Sequence, residues 1–180
     1  MTTPPLTPPL TPPLTPPLTP PLTSAPSPPT ISKSVQSINV IKEIDIAATP
    51  EIVFEGLLEE MGPGSEMPDG TPFHMKLEPW PGGRWYRDTG NNTGHFWAHV
   101  QVIKPPPHPY PVLEVSGPMF MSYPAVSHVQ YRLIPHARGT TLRITHRALG
   151  LIPEQDSAGV HEGWQHGLNR IRDLAERRAR

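Results

Sequence analysis

The stretch that decides the fold is residues 153–180, which read PEQDSAGVHEGWQHGLNRIRDLAERRAR. Its apolar residues recur at steps of four, four, three and three, which places them on one stripe of an α-helix: Val160, Trp164, Leu168, Ile171 and Leu174. The polar residues between them, Arg170 among them, are expected on a solvated face. A helix of about 20 residues is about 30 Å long, so it needs a broad surface to lie on.

The preceding segments predict that surface, because they read as β-strands. Residues 37–47 are rich in β-branched side chains and alternate in polarity, with Ile44 and Ile46 on one face. Thr49 and Pro50 then predict the N-cap and first position of a short helix. The later predicted strands are 73–78, 84–88, 95–104, 112–116, 126–135 and 140–149. The order predicts an α+β fold in which an antiparallel sheet of six to seven strands curls around the C-terminal helix.

The chain divides by composition into a tail and one domain. Residues 3–22 are five consecutive copies of Thr-Pro-Pro-Leu, and residues 1–35 are expected to form a disordered proline-rich tail. A ligand of the PxxP type is the alternative interpretation of this tract. Residues 36–180 are of a typical size for a single domain.

The composition disfavours several classes of function. The 180 residues carry a net charge of −1, which gives no basic patch for nucleic acid or for an anionic membrane. The absence of cysteine excludes disulfides and thiolate chemistry. No apolar run is long enough to span a membrane, and no signal peptide is apparent. A cytoplasmic protein is therefore expected.

The histidines do not predict a metal site. His161 and His166 nearly fit the helical zincin motif, but the required fourth position after His161 is Gln165. A helix rotates by about 500° over five residues, so the two rings diverge by about 140°. His95 and His99 share one face of a strand with Trp97, but the sequence offers no third ligand to them. We expect no metal and no other cofactor.

Two further patterns leave their interpretation open. His146 shares the inward register of its strand with Leu142 and Ile144, and Tyr131 shares that of its neighbour. These two residues are either hydrogen-bonded core groups or a polar pair facing a cavity. Glycine also recurs every four residues on the C-terminal helix, at positions 159, 163 and 167, at a cost of about 1 kcal/mol each relative to alanine. This strip predicts either a groove left open for a ligand or close contact between helix and sheet.

The Pro81 to Trp85 turn, the Thr-Pro-Glu helix start and the Glu162-Gly163-Trp164 helix together resemble the SRPBCC (START-like, helix-grip) superfamily over about residues 38–178. Within it, the chain is most similar to the bacterial branch related to the C-terminal domain of heat-shock chaperone ATPase activators. The resemblance implies a helix-grip fold with a pocket for apolar molecules between the sheet and the long helix. It supplies no shared catalytic set of residues.

The leading prediction is a non-catalytic binder of a small apolar molecule such as a lipid or polyketide. The predicted cavity walls are Val129, Tyr131, Leu133, Leu142, Ile144, His146, Val160, Trp164 and Leu168. A cyclase or hydrolase that uses Tyr131 or His146 is the first alternative, and a module that contacts a chaperone or another protein is the second. The chain is expected to be a monomer or a homodimer.

Overall fold

The computed structural model describes residues 34–119 and 121–180, and it contains seven strands and two helices within them. The predictions for the Thr-Pro-Pro-Leu repeats fall outside the described residues. The elements are β1 (Gln36–Ile46), α1 (Pro50–Glu60), β2 (Met75–Leu77), β3 (Arg84–Gly90), β4 (Thr93–Lys104), β5 (Val112–Gly117), β6 (Ala125–His136), β7 (Gly139–Gly150) and α2 (Asp156–Arg178). Neither of these helices is long and apolar enough to cross a membrane.

The strands form one curved antiparallel sheet in the order β1-β7-β6-β5-β4-β3-β2. Its concave face is covered by α2, and α1 packs beside α2. The predicted α+β helix-grip fold is therefore confirmed. The alternation in β6 and β7 is also as predicted, because Tyr131, Leu133, Leu142, Ile144 and His146 are all buried.

The two halves of α2 relate differently to the sheet. Leu168, Ile171 and Ala175 of its C-terminal half are buried in the main core with Phe54 and Leu57 of α1. Gly56 lets the two helices approach closely here, since a Cβ at this position would lie 3.3 Å from the Ile171 carbonyl oxygen. The N-terminal half instead packs a second, smaller core through Val160. The predicted stripe is correct except at its end, where the fully buried residue is Ala175 and Leu174 is only half-buried.

A bulge corrects the predicted face of Trp97. Simple alternation places Trp97 on one face with His95 and His99, which are both exposed. In the β3–β4 pairing, Trp85 lies opposite Ala98 and Tyr86 lies opposite Phe96, so Trp97 is an extra residue between two pairs. The extra residue shifts the pleat, and the indole of Trp97 turns towards the concave side to contact Trp85.

Candidate functional site

A cavity of about 710 Å³ lies between the sheet and the N-terminal half of α2. Its wall comes from the end of α1, the loop that follows it, single residues of β3, β4, β6 and β7, and one side of α2. The lining residues are Glu60, Met61, Ser65, Glu66, Met67, Pro68, Phe73, Trp85, Trp97, Tyr131, Ile144, Gln155, Asp156, Gly159, Val160, Glu162, Gly163, Trp164, His166, Gly167, Leu168 and Ile171.

The glycine strip of α2 borders this cavity. Gly159, Gly163 and Gly167 all line it, and a Cβ added at any of them would meet no heavy atom within 4 Å. Of the two interpretations left open by the sequence, close contact between helix and sheet is therefore wrong at these positions. The missing side chains leave space over the sheet, at a cost of about 1 kcal/mol each in helix propensity.

Aromatic rings form much of the cavity wall. Trp85 and Trp97 meet edge to face with ring centroids 4.9 Å apart, and Phe73 lies 5.8 Å from Trp97. The Trp85 indole is fixed because its Nε1 donates a 2.8 Å hydrogen bond to the Met61 carbonyl oxygen. On the opposite side, Tyr131 and Trp164 make a second edge-to-face pair at 6.1 Å. Such pairs stabilise one arrangement of the rings, so this wall is largely preformed.

Arg170 anchors the loop between α1 and β2 that closes one side of the cavity. Its Nη2 donates to the Gly64 carbonyl oxygen at 2.8 Å, its Nη1 pairs with Glu66 at 2.8 Å, and its Nε pairs with Glu60 at 3.3 Å. His166 adds a 3.1 Å contact between its Nε2 and the Glu66 carbonyl oxygen. The prediction that Arg170 lies on a solvated face is therefore wrong, because only 17% of its side chain is exposed. Periodicity alone placed it outside, whereas the end of α1 and the loop after it provide two acidic partners, Glu60 and Glu66.

Glu60 and Tyr131 contribute the ionisable groups deepest in the cavity wall. Burial raises the pKa of the Glu60 carboxyl to about 7, although the charge of Arg170 opposes this shift. Burial also raises the pKa of the Tyr131 phenol, and the nearby Glu60 carboxylate raises it further. Within the described residues, the Tyr131 hydroxyl makes no hydrogen bond. Both groups are thus available to a polar atom of a bound molecule.

His146 lies behind Trp164, outside the set of residues that line the cavity. Its Nδ1 accepts a 2.9 Å hydrogen bond from the Trp164 indole, and its buried Nε2 has no partner among the described residues. Burial lowers the pKa of His146 to about 4, and the charge of His128 acts in the same direction. The neutral ring is therefore the stable form at pH 7.

The structure brings together five of the nine residues predicted for the cavity. Tyr131, Ile144, Val160, Trp164 and Leu168 line it. The other four do not line it: Val129, Leu133 and Leu142 are buried in the main core, and His146 lies beyond Trp164. Of the two residues whose interpretation the sequence left open, Tyr131 lines the cavity and His146 is a hydrogen-bonded core group, and each packs against the Trp164 ring. Ligand contact by these residues stays a prediction.

Sequence reasoning missed the residues of the loop and of the far strands. Glu66 and Met67 lie in the loop before β2, a segment without periodicity, and Glu60 is a charged residue at the end of α1 that the apolar pattern of this helix did not include. Trp97 was hidden by the bulge, and Trp85 was noted only as part of a turn. The sequence signals that pointed to the cavity were the inward alternation of β6 and β7, the apolar stripe of α2 and the four-residue spacing of its glycines. The described residues contain no cluster of three or more His, Cys, Asp or Glu able to hold a metal ion.

Comparison with known families gives one clear match. The model of the family described as Activator of Hsp90 ATPase homolog 1-like protein matches residues 47–176, from the end of β1 to the last turns of α2. This range contains six of the seven strands, α1, all but the last two residues of α2 and every cavity-lining residue. The comparison with curated protein sequences found no match.

Solved structures share the fold at low sequence identity. A protein from Rhizobium leguminosarum is 18% identical, with a TM-score of 0.60 over 80% of this chain and 97% of that one. A protein from Mesorhizobium loti is 20% identical, with a TM-score of 0.56 over 77% of this chain and 97% of that one. The di-domain ARO/CYC StfQ from the steffimycin biosynthetic pathway is 12% identical, with a TM-score of 0.54 over 79% of this chain and 52% of that one. At these identities the similarity shows the fold alone.

Proposed function

The chain belongs to the family of Activator of Hsp90 ATPase homolog 1-like proteins, and from that premise we propose that it binds a small apolar molecule in its cavity without changing it chemically. The observation that carries the proposal is the open strip of Gly159, Gly163 and Gly167. Three glycines lower the helix propensity of α2. What they provide in return is open space between this helix and the sheet. We also propose that the protein acts in the cytoplasm.

The size and chemistry of the cavity support this proposal. Its volume of about 710 Å³ lies within the range of about 300–1,000 Å³ that is usual for small-molecule sites. Aromatic and aliphatic side chains supply most of the wall, so removal of apolar ligand surface from water provides the main driving force, at about 25 cal/mol per Å². Tyr131 and Glu60 offer a few polar contacts that orient the ligand.

Native mass spectrometry of the purified full-length protein, followed by denaturing extraction, tests the proposal. We expect a co-purifying small molecule, or a thermal shift with members of a library of apolar compounds. In Gly167→Leu the new side chain occupies the cavity, so binding is lost while the helix gains propensity. His161→Leu is the matched control, because His161 is an exposed residue of the same helix outside the cavity lining. Equal binding by both variants, or no ligand from either assay, contradicts the proposal.

Catalysis in the same cavity is the second candidate, and the ionisable groups of Tyr131 and Glu60 favour it because both residues line the cavity. The two candidates differ in the fate of the ligand. A binder returns the ligand unchanged after prolonged incubation, whereas an enzyme converts it to a species of different mass or chromatographic retention. Loss of conversion by about 10²-fold in Tyr131→Phe or Glu60→Gln would assign acid–base catalysis.

A further inference from the structure

The charged residues that line the cavity are all acidic. They are Glu60, Glu66, Asp156 and Glu162, and no lysine or arginine of the described residues lines it. We propose that the molecule bound in this cavity carries a basic amine, and that it binds as an ammonium ion beside Glu60. This inference rests on the proposed function and specifies the class of ligand.

Glu60 is the most buried of these four acidic residues, and it has few partners. It is 9% exposed, and the one ion pair recorded for it is the 3.3 Å contact with Arg170 Nε. Charge-assisted hydrogen bonds are normally about 2.7–2.9 Å long, so this contact is longer than usual and leaves most acceptor sites of the carboxylate unused. A carboxylate has about four acceptor sites. A donor that carries a positive charge would therefore find unused acceptor capacity at Glu60.

The two arginines nearest the cavity do not cancel this acidic character. Arg170 is shared between Glu60, Glu66 and the Gly64 carbonyl oxygen, and its two shorter bonds of 2.8 Å go to the latter two. The Arg87 guanidinium lies over the Phe73 ring, with its central carbon 4.3 Å from the ring centroid. Neither arginine lines the cavity, so the charged residues that a ligand meets are acidic. Asp156 already accepts a 2.6 Å hydrogen bond from the Tyr123 hydroxyl and Glu66 is paired with Arg170, which leaves Glu60 as the buried acidic group with unused acceptor sites.

The aromatic wall fits the same ligand. Five aromatic residues line the cavity: Phe73, Trp85, Trp97, Tyr131 and Trp164. The face of an aromatic ring attracts a cation within about 6 Å of its centroid, most strongly when water is excluded. The rings also accommodate the apolar body of the ligand. A carboxylate of the same shape, such as a fatty or aromatic acid, would be repelled by the acidic residues, and its charge would not be attracted by the ring faces.

The protonation of the Glu60 carboxyl supports the proposal that the ligand is an amine. Because burial raises the pKa of its carboxyl to about 7, part of the empty protein holds this group neutral near pH 7. An ammonium ion beside it favours the ionised form, so amine binding releases a proton. Affinity for an amine should consequently increase as the pH rises from 6 to 8. Affinity for an uncharged analogue should not increase over this range.

Three probes of the same shape test the inference by isothermal titration calorimetry on the full-length protein: naphthylethylamine, naphthylethanol and naphthylacetate. We expect the amine to bind at least about tenfold more tightly than the alcohol, and the acetate to bind more weakly than both. Equal binding of amine and alcohol, or tighter binding of the acetate, overturns the amine inference and leaves the proposed function intact. Binding of none of the probes also overturns the inference, and the co-purification experiment then decides the proposed function independently.

Two variants test whether Glu60 causes the preference for the amine over the alcohol. Glu60→Gln keeps the shape and one acceptor but removes the charge, so the preference for amine over alcohol should fall to about twofold or less while alcohol binding persists. Glu55→Gln makes the same chemical change at an exposed position of α1 outside the cavity lining and should keep the preference. Preference retained in Glu60→Gln overturns the placement beside Glu60. The three-probe comparison on the unmodified protein needs neither variant to fold.

Discussion

The indole Nε1 of Trp164 donates a 2.9 Å hydrogen bond to Nδ1 of His146, and this bond joins the cavity wall to the sheet behind it. Because Nδ1 accepts, the neutral imidazole must carry its proton on Nε2. The bond also holds the Trp164 ring against Tyr131. In this position the Trp164 side chain packs against both core clusters. The Trp164–His146 pair therefore positions one wall of the cavity.

Replacement of Trp164 by phenylalanine should lower the free energy of unfolding by about 1–3 kcal/mol beyond the loss of apolar contact, because both nitrogens of the buried His146 are then unsatisfied. Urea denaturation measures this change. Trp80→Phe is the control, since Trp80 is 54% exposed and its replacement should cost little. Equal effects of the two substitutions would contradict a structural role for the hydrogen bond.

The pH dependence of stability should show two opposing contributions. The pKa of His146 is lowered from 6.5 to about 4, so its contribution is complete above pH 6.5 and is lost as the pH falls towards 4. The pKa of Glu60 is raised from 4.5 to about 7, so its contribution is complete below pH 4.5 and is lost as the pH rises through 7. Between about pH 4.5 and 6.5 the two slopes oppose each other, and the unmodified protein should show little net change from them.

Single variants separate the contributions of His146 and Glu60 to the change of stability with pH. In Glu60→Gln the remaining His146 contribution should make stability rise with pH between about 4.5 and 6.5, with a slope of up to about 1 kcal/mol per pH unit. In His146→Gln, which can still accept from Trp164, stability should fall over the same range. Urea unfolding at three pH values measures both. Parallel curves for the two variants would show that these groups do not keep the assigned pKa values.

Gly163→Ala should stabilise the protein by up to about 1 kcal/mol, because the helix gains propensity and the added Cβ meets no heavy atom within 4 Å. Gly56→Ala tests the same change in α1, where the Cβ would lie 3.3 Å from the Ile171 carbonyl oxygen. The gain in stability from Gly56→Ala should be smaller than that from Gly163→Ala, or should become a loss. Thermal unfolding compares the two variants, and a larger gain at Gly56 would be inconsistent with open space beneath the α2 glycines.

Arg170→Met should destabilise the protein by about 3 kcal/mol, because it removes three contacts and leaves the buried Glu60 without its cation. Hydrogen exchange should also quicken in residues 61–74, whose loop Arg170 holds in place. Arg177→Met is the matched control, since Arg177 is an exposed residue in the last turn of the same helix. Unchanged exchange in 61–74 after Arg170→Met would mean that other contacts hold the loop.

The sequence by itself determined the elements and most of their buried faces. The helical spacing from Val160 to Ile171 and the alternation in β6 and β7 depend on neighbouring residues along the chain, and a period of 3.6 or 2 in one segment is sufficient to place them. The fold followed because an amphipathic helix and a one-sided sheet have few ways to bury each other. The family resemblance led to the same fold independently.

Only the tertiary structure decided the cavity. Glu60 and Arg170 are 110 positions apart in the chain, and no periodicity predicts that an arginine on a polar stripe finds a buried carboxyl at the end of another helix. The bulge that turns Trp97 inward is a single extra residue in a pairing that only the assembled β3–β4 ladder defines. The glycines of α2 allow two interpretations in sequence. The structure decides between them, because a Cβ added at any of these glycines would meet no heavy atom within 4 Å. Each of these features depends on contact between distant segments, which local patterns do not encode.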